Sequence, residues 1–242
     1  MLLDGRGVAG VRVVLSGVVG STAYGLARPG SDVDRLGVFA VPTQELHGLD
    51  RPRESVVTTE PDRTFHEVAK WCRLALAGNP TVTELVWLPD ELYEVRTPLG
   101  EELIGLRRSF LSAGAVRSAY LGYADQQLRK LRAREPERRA KPARHLLRLV
   151  EQALLLHETG ELQVRLADPE RVRELGERIA ADPSLAEPLL AAAAERLARP
   201  GALPPTPDPA PVEAWLRRVR LAHLDPAPGQ PQCAGQPSGI TG

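Results

Sequence analysis

Asp32 and Asp34 stand one residue apart, and ten residues separate them from Ser21, in the stretch 20-GSTAYGLARPGSDVDRLGVF-39. On an extended chain, side chains at i and i+2 project from the same side. Two carboxylates so placed can share a hard cation. Mg²⁺ (or Mn²⁺) takes such oxygens and keeps positions open for water and phosphate. Two ions about 3.5–4 Å apart stabilise both the attacking and the leaving oxygen of a phosphoryl transfer. Gly20-Ser21 complements the pair. A glycine turn that opens a helix offers backbone N–H groups to a phosphate, and Ser21 adds a hydroxyl. A phosphate cradle beside a metal cage is what an NTP with bridging Mg²⁺ requires. The bland alternative is a solvated loop pair, with Ser21 serving as a helix cap.

The elements that would hold these residues follow from periodicity. The β-branched run 11-VRVVLSGVVG-20 predicts a strand that ends in glycines, followed by a short helix or turn and a loop. The stretch 32-DVDRLGVFAVP-42 alternates as a second strand carrying both aspartates. Residues 54–68 suit a further strand or hairpin. From about Phe65 the apolar spacing turns helical, through Trp71, Cys72, Ala75 and Leu76. It stops near 77-AGNP-80, and a second helical segment follows to residue 89.

From residue 101 the pattern is helical throughout. The clearest amphipathic segment is 143-ARHLLRLVEQALLLHETGEL-162, with Gly160 suited to its C-terminal cap. Further helices are expected at 168–181, opened by Asp168 and Pro169, at 186–199, and at 211–224 after a proline-rich linker. The expected fold class is α/β (α+β). A small mixed-sheet domain over 1–100 precedes an α-helical domain over 101–224 and a disordered tail over 225–242.

Charge balances, with 31 basic and 31 acidic residues, which argues against a general basic coat while allowing a local groove. The basic residues are nearly all arginine; the lysines are Lys70, Lys130 and Lys141. Lys141, His145 and Arg148 share a helix face by their spacing. They suit a clamp on a triphosphate or an RNA backbone, or else a solvated basic face. Asn79 is expected to close the turn before Pro80. Glu84 suits an early helix position by dipole. His66, His157 and Cys72 read as structural. Two cysteines, Cys72 and Cys233, give no disulfide framework and no zinc spacing. No run approaches a membrane span, so a cytoplasmic protein without a membrane partner is expected.

An apolar strand, Gly-Ser, ten residues and Asp-x-Asp together resemble the signature of the DNA polymerase β-type nucleotidyltransferase superfamily. The fuller strings 20-GSTAYGLARPGSDVDRLGVF-39, 66-HEVAKWCRLALAGNPTVTELVW-87 and 141-KPARHLLRLVEQALLLHETGELQVRL-166 resemble one branch, the RNA-ligase-associated RlaP proteins. The resemblance implies Gly20 and Ser21 as phosphate binders and Asp32 and Asp34 as metal ligands. It also implies a third carboxylate on a later strand. Asp62 is the first choice, as the end of a strand just ahead of a helix; Glu67 and then Glu60 remain open.

The implied reaction is metal-dependent transfer of NMP from an NTP to an acceptor hydroxyl, with pyrophosphate release. An RNA end is the favoured acceptor, and an RNA ligase or other protein is a possible partner. Two rivals stand beside it. One is a non-catalytic NTP-binding or antitoxin-like module acting through a protein partner. The other is a metal-dependent phosphohydrolase.

Overall fold

Valines and Leu15 between Arg12 and Val18 form β1 (Arg12–Val18), an interior strand of a five-stranded sheet ordered β3-β4-β2-β1-β5. The computed structural model describes residues 12–224. The tail expected to be disordered, 225–242, and Cys233 within it lie outside the described residues.

β1 runs antiparallel to both neighbours, β2 (Arg35–Ala40) and β5 (Tyr93–Arg96). β3 (Ser55–Thr59) and β4 (Asp62–Glu67) form an antiparallel hairpin, and β4 lies parallel to β2. The sheet is therefore mixed, and the fold is α/β as expected.

Helices interrupt and follow the sheet. They are α1 (Gly20–Tyr24), α2 (Val68–Leu76), α3 (Pro80–Thr83), α4 (Pro98–Gly105), α5 (Ala113–Ala133), α6 (Ala140–Thr159), α7 (Pro169–Ala181), α8 (Ala186–Leu197) and α9 (Pro209–Ala222). Their ends follow local chemistry. Asn79 accepts a hydrogen bond from the Val82 amide at the start of α3, and Asp168 does the same for Arg171 at the start of α7. Gly160 ends α6 in the left-handed conformation, φ 72°.

Four local expectations are corrected. The aspartates do not lie on β2. Its ladder with β1 begins at the Val18–Arg35 pair, and Asp32 and Asp34 precede it on a loop closed by the Val19 amide donating to the Asp34 carbonyl, 2.9 Å. Phe65 is in a strand, not a helix, because the parallel pairing of β4 with β2 continues to Glu67. Its ring covers Gly37, where a Cβ would stand 2.8 Å away. Asp62 opens β4 instead of ending a strand. β5 was not expected; four residues, with no apolar alternation, carry little signal before the β1 ladder captures them.

Every described strand lies between Arg12 and Arg96, and from Pro98 onward the described chain is helical. One continuous apolar cluster links the parts, from Val14 and Leu36 in the sheet through Trp71, Leu103 and Phe110 to Leu146, Ile179 and Trp215 in the helices. α9 returns to the sheet side. The Trp215 indole donates to the Leu99 carbonyl at 2.9 Å, and the Thr43 amide to the His223 carbonyl at 2.7 Å. No helix among the described residues is long and apolar enough to cross a membrane.

Candidate active site

The parallel register of β2 and β4 decides where the carboxylates meet. Arg35 pairs with Arg63, so Asp34, the last loop residue before β2, stands beside Asp62, the first residue of β4. Asp34 is half-buried, while Asp32 and Asp62 are exposed. Burial raises the Asp34 carboxyl above its usual range. Asp62 raises it further, by its charge and by its hydrogen-bonding proximity, and Asp32 adds to this, while Lys141 pulls it down. A half-buried carboxyl crowded by two others attracts a cation or a proton.

Gly20 is the reason Asp34 can approach the turn that opens α1. Its φ is +68°, and a Cβ there would lie 2.0 Å from Asp34 Oδ2. α1 thus begins directly against the Asp34 side chain. The N–H groups of a first helical turn have no intrahelical acceptor. The residue flanking α1 at its start is Val19, which makes no side-chain cap, so Ser21 is not an N-cap. The Ser21 carbonyl instead accepts from the amides of Leu26 and Ala27, 2.8 and 3.0 Å, which turns the chain into the loop carrying Asp32 and Asp34.

α6 supplies the opposite wall. Lys141, Arg144, His145 and Arg148 from that helix face a cleft of about 790 Å³, with Asp32, Asp34 and Asp62 across from them. Eight of the residues singled out from the sequence line this cleft: Gly20, Ser21, Asp32, Asp34, Asp62, Lys141, His145 and Arg148. Lys141 is exposed, and its charge reaches Asp34.

Arg148 differs from both sequence expectations, since it is neither a solvated cation nor a free clamp. It is 1 % exposed and ion-paired with the fully buried Glu84. Its Nη1 also donates to Gln152 Oε1 at 2.6 Å, and its guanidinium stacks 4.2 Å from the centre of the Tyr24 ring. Tyr24 in turn donates to Glu84 Oε2 at 2.7 Å. Burial pushes the Glu84 carboxyl up, and Arg148 and the Tyr24 hydroxyl pull it back.

Arg148 Nη2 lies 2.6 Å from His145 Nε2. Guanidinium has only donors, so Nε2 accepts and the proton of His145 sits on Nδ1. Burial first, and then the Arg148 charge, lower His145 to about 3. The imidazole in this wall is neutral.

The other candidate acids fall elsewhere. Glu67, the runner-up for third carboxylate, is buried at the far end of β4. It caps α2 by accepting from the Ala69 amide and forms an ion pair with Arg220 at 2.6 Å. Glu60 is exposed in the β3–β4 turn. Cys72 is buried, and its thiol is pushed up to about 12 by burial and then by Glu67, which leaves it inert as a nucleophile.

The sequence did not single out Arg28, Arg144 or Arg173, which also line the cleft. Helical spacing from Lys141 and Arg148 was available to find Arg144; nothing local marked the other two. Among the described residues, no three acidic, histidine or cysteine side chains are gathered to hold an ion as they stand. The donor set, an all-oxygen group with Asp34 and Asp62 in mutual contact, fits Mg²⁺ or Mn²⁺ by its chemistry.

A family model described as RlaP, RNA repair pathway DNA polymerase beta family, matches residues 6–194. No curated protein matches the chain.

Proposed function

The chain belongs to the RlaP family, the RNA repair pathway DNA polymerase beta family, and from that membership we propose a metal-dependent nucleotidyltransferase that moves NMP from an NTP to an RNA end and releases pyrophosphate. The observation that carries this reading is that Asp34, just before β2, stands beside Asp62, at the start of the parallel strand β4, and directly against Gly20. Asp32, Asp34 and Asp62 would hold Mg²⁺ or Mn²⁺. Bound there, the ions would supply charge neutralisation at the reacting phosphate and lower the pKa of the acceptor hydroxyl.

The protein's own groups do the rest. The first-turn amides of α1 and the Ser21 hydroxyl bind phosphate oxygens. Lys141 supplies a compact cation opposite the carboxylates. His145, neutral with its proton on Nδ1, offers one hydrogen-bond donor and no charge. Arg148 keeps His145 and Tyr24 in place. Asp62, exposed and beside Asp34, is the group placed to accept the proton of an incoming hydroxyl. Catalysis of this kind is mainly positioning and charge stabilisation. The two cysteines and the RNA substrate accord with a cytoplasmic site of action, and the proposed partner is an RNA ligase or another protein of an RNA repair pathway.

The test is incubation of the protein with each α-³²P-labelled NTP, Mg²⁺ or Mn²⁺, and RNAs with defined 5′ and 3′ ends. Label should appear on RNA with the wild type and fall at least about 10²-fold in Asp32→Ala, Asp34→Ala and Asp62→Ala. Glu67→Gln should retain the activity that Asp62→Asn loses. Nucleotide binding without any label transfer would instead support a sensor or antitoxin-like module, and release of free labelled nucleotide a phosphohydrolase.

A further inference from the structure

Arg28, Arg144 and Arg173 come from three separate elements and meet on one side of the cleft. Arg28 is exposed on a tight turn, in which its amide donates to Ser31 Oγ at 2.9 Å and its carbonyl accepts from the Ser31 amide. Arg144 rises from α6 with its stem across α7; a Cβ on Gly176 would stand 2.6 Å from Arg144 Cγ. Arg173, on α7, donates through Nη2 to the Gly25 carbonyl at 2.8 Å. That bond ties α7 to the loop that carries Arg28.

The cluster is under-neutralised. Arg144 has Glu177 at 3.2 Å and Arg173 has Glu170, while the Arg28 side chain makes no hydrogen bond or ion pair among the described residues. Burial, and then the charges of Arg28 and Arg173, lower Arg144, with Glu177 opposing. Like charges held together at a cleft wall cost free energy unless an anion joins them. Arg173 is tied to the Gly25 carbonyl and the Arg144 stem lies against Gly176, so these two line the cleft from its α7 side.

We infer that Arg28, Arg144 and Arg173 form a second anion site, which holds backbone phosphates of the RNA strand whose end enters the cleft. The inference rests on the nucleotidyltransferase reading for its acceptor. Its chemistry is that of guanidinium forks on phosphodiester oxygens. Binding through such contacts is independent of sequence and steeply salt-dependent.

The experiment compares wild type with Arg28→Ala/Arg144→Gln. Arg173 is kept because it also holds the Gly25 carbonyl. Binding of a fluorescein-labelled 12-nucleotide single-stranded RNA is followed by anisotropy over a range of salt concentrations, without NTP. Binding of a fluorescent ATP analogue with Mg²⁺ is followed in parallel. RNA affinity should fall about 10-fold or more, and the slope of log K against log salt should shrink by roughly 1.4, about 0.7 for each lost contact to a single strand. ATP-analogue affinity should stay within about 2-fold. Arg28→Lys/Arg144→Lys should keep most of the salt slope, which separates charge from fold.

Loss of ATP-analogue binding with RNA binding intact would overturn the inference and assign the arginines to the triphosphate. No change in either would reduce them to a solvated basic face. Because neither readout needs turnover, RNA binding lost in a protein that never transfers label would retain this site and reject the transferase reading alone.

Discussion

Gly20 has no room for a side chain. Its φ is +68°, and a Cβ would fall 2.0 Å from Asp34 Oδ2. Gly20→Ala is therefore expected to push the Asp34 carboxylate off its position beside Asp62. A displacement of about 1 Å at such a centre costs on the order of 10²-fold in rate. The check is label transfer at saturating NTP, alongside a thermal melt showing the variant folded. Asp32, Asp34, Gly20 and Ser21 were legible because their chemistry is local: a glycine, a hydroxyl and an i, i+2 carboxylate pair close in sequence. Glu84 was not. It read as an acid favoured by a helix dipole, yet it is buried against Arg148, 64 residues away. Glu84→Gln or Arg148→Met leaves an uncompensated buried charge or polar group, which costs about 3–5 kcal/mol. Glu84→Leu with Arg148→Met should recover much of that loss. Urea unfolding of the two single variants and the double variant measures it, and a double variant no better than the singles would refute the pairing as the cause.

α6 shows what a single helix can and cannot disclose. Its apolar stripe and its Gly160 terminus were readable from residues 143–162, and its observed span is Ala140–Thr159. That its Lys141, His145 and Arg148 face carboxylates from the sheet was not, because the facing depends on packing with no local sequence signal. The same limit explains β5, four residues recruited by β1, and the start of β4, set by its register with β2. One turn of α6 carries a pH dependence of its own. His145 is held neutral because burial and Arg148 lower it to about 3, against about 6.5 when unfolded. Between those values the unfolded chain binds the extra proton, so stability falls as pH drops from about 6.5 toward 3. The full loss at pH 5 is about 2 kcal/mol, and partial solvent exposure makes the observed value smaller. Urea denaturation at pH 7 and pH 5 should show this slope in wild type and a shallower one in His145→Gln.

At the scale of the whole molecule, the family match ends at residue 194, but the apolar core does not. α9 buries Val212, Trp215 and Val219 in the same cluster that holds the sheet. Arg220 forms its ion pair with Glu67, which ends β4, the strand that begins with Asp62. The Thr43 hydroxyl donates to the Arg220 carbonyl at 2.6 Å. A helix beyond the matched region is thus bound to the strand carrying a proposed metal ligand. Burying a Trp or Val side chain contributes about 1.5–3 kcal/mol, so the three together rival the roughly 5–15 kcal/mol by which a whole domain is stable. Removal of residues 200–242 is expected to leave a chain that is largely unfolded or aggregated. Trp215→Ala, costing about 3–5 kcal/mol, is the graded version. It should lower the urea midpoint and speed proteolysis, with NTP and RNA affinities of the remaining folded fraction unchanged, since no α9 residue lines the cleft. A truncated protein with the wild-type melting temperature would show that α9 merely rests on the core, and that the fold closes within the matched region.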